Sequence, residues 1–410
     1  MTTMNRRRSE ALTSSIAFVA LAFVLATMPA LAEKKYGPGV TDTGIKIGQT
    51  MPYSGPASAY GTIGKVGQAY FKMINDQGGV NGRKIDLISL DDGYSPPRTV
   101  ELMRRLVEQD RVLLTFQTLG TPSNTAIHKY MNTQKVPQLF VATGATKWGD
   151  PRHFPWTMGW QPSFQFEARI YAKYVLQNKP DAKIGVLYQN DDYGKDYLKG
   201  LKDGLGDKAA KMIVAEVSYE VTDASVDSQI VTLQASGADV FIDISTPKFA
   251  AQAIRKSYDI GWGPLHLVNN PASSIASVLL PAGLEKSVGL ISIAYLKDPT
   301  DPAWKDDKGV QGYLAFMKKY YSGGSTNDIF NVGAYSAAQT LVQVLKRCGD
   351  DLTRENVMRQ AANIKELELP MLLPGIRINT SPTDFFPIEQ VQLIRFDGRT
   401  WVRFGGLMSR

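Results

Sequence analysis

Cysteine is almost absent from this 410-residue chain: Cys348 stands alone, so no internal disulfide can form and stability must come from core burial. Histidine is scarce as well. His128, His153 and His266 are scattered, with no Cys or carboxylate at metal-ligand spacing, so each reads as structural and no metal is expected. Phosphate-loop spacing around Gly64-Lys65 fails at Ala59 and at Val66. Gly78-Gly79-Val80-Asn81-Gly82 follows a helical pattern, which makes it a helix stop and not a dinucleotide fingerprint. There is no Gly-x-Ser-x-Gly elbow and no Cys–His pair that sequence can support. Asp191-Asp192 reads as a paired-carboxylate candidate, and its place before a helix makes it a cap. These absences point to a chain that binds without reacting: no catalytic residue and no cofactor. Long runs of basic residues are missing too, so nucleic acid is not an expected partner.

What the chain does contain begins with an export pattern. Arg6-Arg7-Arg8 precedes an apolar run over 16–28, and Ala30-Leu31-Ala32 supplies a small-x-small cleavage site. Cleavage after Ala32 and release to the periplasm are expected. No Cys follows the run to carry a lipid anchor. The three arginines and Glu10 leave with the signal, so the formal charge falls from +7 to +5. Hydrophobic content of 43% and charged content of 21% describe an ordinary folded protein, long enough for two compact units.

The remaining pattern is α/β. Strands are predicted at 45–48, 85–88, 112–116 and 136–141, separated by helices over 64–77, 98–109 and 126–133. Beyond Pro151 a second set repeats the scheme. Its strands fall at 184–188, 212–219, 240–242 and 266–268, and its helices at 164–176, 192–205, 226–235 and 249–258. Three more helices (312–321, 332–347, 354–362) follow, then a hairpin signal centred on Asp397-Gly398. Each half is thus a mostly parallel sheet covered by helices.

The stretch 112–146 organises the rest. Two apolar runs break into Thr118-Leu119-Gly120-Thr121 and into Ala142-Thr143-Gly144-Ala145-Thr146. Parallel strands ending together in such turns put backbone N–H groups and hydroxyls at the carboxyl edge of a sheet, where open α/β sheets hold ligands. Such groups suit a carboxylate or another small anion. Either turn alone reads equally as ordinary turn chemistry.

Tyr53-Ser54-Gly55-Pro56, Gly78-Gly79-Val80-Asn81-Gly82, Asp91-Asp92 and Asp192-Tyr193-Gly194 together resemble the type I periplasmic binding fold. The similarity is to the leucine/isoleucine/valine-binding branch of ABC-importer receptors, and it covers nearly the whole mature chain. No single motif is specific; their order is. The resemblance implies two lobes joined by a three-crossover hinge, 36–157 with 293–378 and 158–292 with 379–410. It implies a monomer that closes on a small-molecule carboxylate and delivers it to a membrane permease. It places Gly120 and Thr121 at one carboxylate-binding turn. The second turn has two registers, Ala142, Thr143 and Gly144 or Gly144, Ala145 and Thr146. Tyr60 and Tyr193 match positions lining the cleft from opposite lobes, and Tyr94 stands where that family often has a cysteine.

One departure bears on the ligand. The family's amino-acid binders hold the ammonium with a Glu in the loop matching Val268-Asn269-Asn270-Pro271, yet no acidic residue lies between Asp259 and Glu285. Asn270 hydrogen-bonds but supplies no counter-charge. A carboxylate without an ammonium is therefore expected. Tyr53, Tyr60, Tyr94, Trp148 and Tyr193 favour a flat ring. Gln138-Leu139-Phe140-Val141-Ala142-Thr143-Gly144 and His153-Phe154-Pro155-Trp156-Thr157 resemble receptors for plant-derived aromatic acids, of benzoate or hydroxycinnamate type. The alternative keeps the fold and makes the ligand a branched-chain or other aliphatic amino acid, with Asp243 or another carboxylate as counter-charge.

Overall fold

Five short strands make the first sheet: β1 (Gly44–Met51), β2 (Lys84–Asp91), β3 (Leu114–Phe116), β4 (Gln138–Val141) and β5 (Thr157–Gly159). They lie in the order β2-β1-β3-β4-β5, every pair parallel. Buried on both faces, β3 and β4 have no exposed residue, as a central parallel strand requires. The computed structural model describes residues 34–410, of which 36–410 form one compact unit. The predicted export signal and its cleavage after Ala32 lie outside the described residues.

The second sheet has seven strands: β6 (Ile184–Gln189), β7 (Ile213–Tyr219), β8 (Val240–Ile244), β9 (Leu265–Val268), β10 (Ile291–Ala294), β11 (Gln390–Phe396) and β12 (Trp401–Ser409). Their order is β12-β11-β10-β9-β8-β6-β7. Five strands run parallel, and the Asp397-Gly398 hairpin adds two antiparallel strands beside β10. The tail therefore closes the second sheet.

Helices cover both sheets. In the first half these are α1 (Gly61–Asp76), α2 (Pro96–Arg104) and α3 (Thr121–Thr133), and in the second α4 (Phe164–Asn178), α5 (Asp192–Leu205), α6 (Asp227–Ala235) and α7 (Pro247–Asp259). Late in the chain come α8 (Lys308–Tyr320), α9 (Ile329–Cys348) and α10 (Arg354–Ala361). Both α8 and α9 return to pack on α1, through Tyr70 against Phe316 and Tyr335. The chain thus crosses between the sheets more than once.

Three local readings change. Helix α3 begins at Thr121 and not at residue 126, because Pro122 is accommodated in a first turn where its missing N–H costs nothing. The first "turn" is thus a helix N-terminus. The segment over 98–109 begins at Pro96 and passes into a π-helical turn from Arg105 to Gln109. Strand β5, three residues long and beginning two residues after Pro155, belongs to the first sheet, so that sheet extends past Pro151.

Helices α4 and α5 pack so closely that Gly200 sits on the backbone of Gln165, and a Cβ at Gly204 would lie 2.6 Å from that of Ala172. A side chain at Gly200 would have to push α4 away. Gly200→Val is expected to destabilise the chain by about 1–3 kcal/mol. Thermal unfolding should show this as a fall of several degrees; an unchanged Tm would contradict the packing.

Candidate functional site

The strands of both sheets deliver their carboxyl ends to one cleft of about 720 Å³, counting its open mouth. The two Gly/Thr turns meet there. Leu119 and Ala142 form a parallel bridge, and the N–H of Ala142 donates to the Thr118 carbonyl at 3.0 Å. This pairing carries the β3–β4 register past the strand ends and brings the Thr121 and Thr143 hydroxyls to 2.6 Å from each other. Gly120 is the N-cap of α3 and has no side chain with which to cap it. The first-turn amides and the positive end of the helix are left for something else.

Gly120 is required twice over. Its φ is +95°, and a Cβ there would lie 2.7 Å from the ring of Tyr94. Tyr94 (φ 64°) and Gln117 (φ 52°) also hold left-handed backbone, which is uncommon away from glycine. All three line the cleft. Observed strain of this kind clusters at binding sites.

Of the ten residues predicted for the site, eight line this cleft: Tyr60, Tyr94, Gly120, Thr121, Ala142, Thr143, Tyr193 and Asn270. Two do not. Gly144 borders a separate small hollow with Trp148 and Phe386. Thr146 turns to the other half of the molecule, where its N–H and hydroxyl both donate to Asp196 of α5, at 2.8 and 2.9 Å. The geometry therefore favours the register through Ala142 and Thr143. Tyr53 and Trp148 are absent from the cleft too; Tyr53 bonds Ser89 and Trp148 packs on His128.

Gln117, Trp160, Gln161, Phe164, Thr246, Tyr295 and Phe330 also line the cleft and were not predicted. Five of them were open to the carboxyl-edge rule, since Gln117, Trp160, Gln161, Thr246 and Tyr295 lie within two residues of the ends of β3, β5, β8 and β10. Rings dominate the wall. Tyr60 meets Phe330 with centroids 4.9 Å apart, and Phe164 meets Tyr193 edge-on at 5.3 Å.

No Asp, Glu, Lys, Arg or His is among the residues lining the cleft. Acids do lie behind it, each held by the protein. Asp191 caps α5 through the N–H groups of Tyr193 and Gly194. Asp328 caps α9 and accepts from Ser274 and Ser277. Burial pushes both carboxyls above their usual range. Glu167 accepts from Tyr171 (2.7 Å), Tyr197 (2.8 Å) and the N–H of Asn270 (2.6 Å). Desolvation raises its pKa to about 7 despite these donors. Asp243 is fully buried, bonded to Ser245 and 3.6 Å from His266, and is not among the residues that line the cleft.

The Nδ2 of Asn270, a residue of the cleft lining, donates to the Ile293 carbonyl at 2.9 Å, which leaves the side-chain oxygen as an available acceptor. Among the described residues no group of three His, Cys, Asp or Glu side chains could hold a metal, and no helix is long and apolar enough to cross a membrane.

Known proteins resemble this chain in family and in fold. Residues 44–400 match the family described as "Periplasmic binding protein". Leu/Ile/Val-binding protein homolog 7 of Brucella abortus (strain 2308) is 22% identical over 327 residues, spanning 77% of this chain and 80% of that protein. A branched chain amino acid ABC transporter from Thermus thermophilus, solved with bound valine, aligns with a TM-score of 0.80 at 15% identity, covering 90% of this chain and 98% of that one. A fatty acid ABC transporter substrate-binding protein from Thermomonospora curvata gives 0.75 at 22% identity, covering 92% and 95%.

Glu167 generates a pH expectation. Its carboxyl ordinarily titrates at 4.5 and in the folded chain holds its proton up to about 7, so the folded state binds the extra proton between those values. Stability from this group is therefore lost as pH rises through that window. Glu167→Gln should remove that part of the slope, measured by denaturant unfolding at pH 5 and pH 8. Parallel pH profiles for the two proteins would contradict the assignment.

Proposed function

The chain belongs to the periplasmic binding protein family and has its two-lobed type I fold, and on that premise we propose that it is the periplasmic substrate-binding receptor of an ABC importer. Its ligand is a small carboxylate without an ammonium group, an aromatic acid of benzoate or hydroxycinnamate type. The observation that carries this reading is the cleft lining, which is rich in rings and free of charged side chains. An ammonium enclosed there would lack a direct counter-charge and would lose several kcal/mol. A carboxylate, by contrast, meets the Thr121 and Thr143 hydroxyls and the uncapped start of α3, a pattern suited to anions.

In this reading Gly120 and Ala142 contribute backbone, and Tyr60, Tyr94 and Tyr193 enclose the ring. Among the described residues the Tyr60 hydroxyl has no hydrogen-bond partner, so it and the Asn270 oxygen are open to a ring hydroxyl. The receptor acts as a monomer, binds without catalysis and hands its ligand to a membrane permease.

The lobes, expected as 36–157 with 293–378 and 158–292 with 379–410, close about their crossovers, with the first two boundaries moved past the ends of β5 at Gly159 and β10 at Ala294. Contacts across the cleft support the closed form. Asp196 takes two hydrogen bonds from Thr146, and Asp192 takes one each from Lys147 (2.7 Å) and Thr125 (3.0 Å). Gly144 and Thr146 thus serve the rim and the closure.

A second reading, a branched-chain or other aliphatic amino acid, draws on the valine-bound relative and on the Leu/Ile/Val-binding names. Its difficulty is the counter-charge. Asp243 does not line the cleft, and the three donors to Glu167 come from the protein itself.

A thermal-shift screen separates the two. Benzoate and 4-hydroxycinnamate are expected to raise Tm while leucine and valine leave it unchanged; the reverse result would sink the aromatic-acid reading. Replacing both hydroxyls, Thr121→Val with Thr143→Val, should weaken aromatic-acid binding at least tenfold, since hydrogen bonds to charged groups contribute about 1.5–3 kcal/mol each. Unchanged affinity by calorimetry would remove the two threonines from the carboxylate dock. Asp196→Ala should expand the free protein in small-angle scattering and weaken binding about fivefold, the equivalent of about one hydrogen bond. Identical profiles would count against its part in closure.

A further inference from the structure

A second hollow of about 550 Å³, counting its open mouth, lies against the cleft. Asn270, Tyr295 and Ile329 belong to the walls of both spaces. The hollow is formed where β10 and the segment after it pass between the halves, roofed by the closing hairpin. Its walls include Ile293, Leu373 and Trp401, and they are mostly apolar. Trp401 is fixed by its indole N–H, which donates to the Ser273 carbonyl at 2.8 Å. At the far end Arg403 stacks over Trp304, 4.3 Å from the ring centroid. Among the described residues its guanidinium has no carboxylate within ion-pair range and no hydrogen-bond acceptor.

The walls of this hollow are mostly apolar and it opens to solvent, so a ligand group that enters it displaces water from apolar surface. A single-ring acid docked on Thr121 and Thr143 occupies the cleft alone. We propose that the hollow is a second compartment of the same binding site, filled by the distal part of the ligand. The substrate class is then an aryl carboxylate carrying an extended, uncharged substituent. The proposal rests on the aromatic-acid reading above and narrows it.

The compartment chooses among substituents by its chemistry. Its length is apolar, so an alkyl or alkoxy chain gains by burial. A second carboxylate does not fit, because Asp298 and Asp301 line the same space as Arg403. Both acids are engaged locally: Asp298 accepts from Thr300, Thr400 and the Trp401 N–H, and Asp301 from the Ala303 N–H. Arg403 is left as a donor to a neutral oxygen at the end of the chain. The side chains of Asn270, Tyr295 and Ile329 act as the gate between ring and tail.

Calorimetry on the mature chain with benzoate and the 4-alkoxybenzoates from methoxy to butoxy tests this. Affinity is expected to rise up to about fourfold per added methylene, the equivalent of burying each in an apolar site. Ala294→Leu fills the compartment from a position outside the cleft lining. It should leave benzoate within twofold and erase at least tenfold of the gain for 4-butoxybenzoate. Leu373→Phe should do the same from the opposite wall, and unfolding curves taken without ligand identify a variant that has merely lost its fold. Benzoate binding with no chain-length dependence overturns the compartment and leaves the aromatic-acid reading standing. So does equal weakening of benzoate and 4-butoxybenzoate in both variants. No binding by any member of the series overturns both.

Discussion

Enclosing a charge without a partner is among the most expensive things a protein can do, and this cleft is arranged so that the protein contributes none. Every side chain that lines it is neutral. Glu167, Asp328 and Asp191 are one layer back, bonded by hydroxyls and backbone N–H groups that belong to the chain. What the lining offers is a set of dipoles: two hydroxyls at one end, the start of a helix beside them, and an amide oxygen across the gap. Such a set distinguishes ligands by the charge they bring, because only an anion at one end finds a field already oriented toward it.

That arrangement depends on strand ends. Because β3 and β4 are parallel neighbours, their turns fall together, and the Leu119–Ala142 bridge extends the pairing just far enough to place Thr121 against Thr143. The second sheet brings its own carboxyl ends to the same gap, with Thr246 after β8 and Tyr295 after β10. The next residues along the second turn then have a different task. Thr146 and Lys147 reach the acids of α5, so one loop joins the dock to the rim contacts that hold the halves together.

Much of this was legible in the sequence. Period and length marked nearly every strand and helix, because buried parallel strands read as short apolar runs bounded by turn residues. The parts that escaped have physical reasons. Strand β5 is three residues long, follows Pro155 and ends in Gly159, so local pattern argues against it and only its pairing with β4 makes it a strand. Losing β5 also lost Trp160, the residue just past its end. Phe330 and Phe164 start helices, where an aromatic is indistinguishable from core until the fold turns it toward the cleft. Thr143 and Thr146 could not be separated by counting; the fold puts Thr143 in the cleft wall and bonds Thr146 to Asp196. Glu167 lies a hundred residues from Asn270 in sequence, so no local signal links a helical glutamate to that loop.

The account turns on one point, that the cleft accepts a carboxylate and refuses an ammonium. A matched pair isolates it: 3-phenylpropionate and phenylalanine share ring, chain and carboxylate and differ by the ammonium alone. Calorimetry of the mature protein with both is expected to find 3-phenylpropionate bound at least a hundredfold more tightly, since an uncompensated buried charge costs about 3 kcal/mol or more. Phenylalanine binding as tightly as 3-phenylpropionate, or more tightly, would contradict the account.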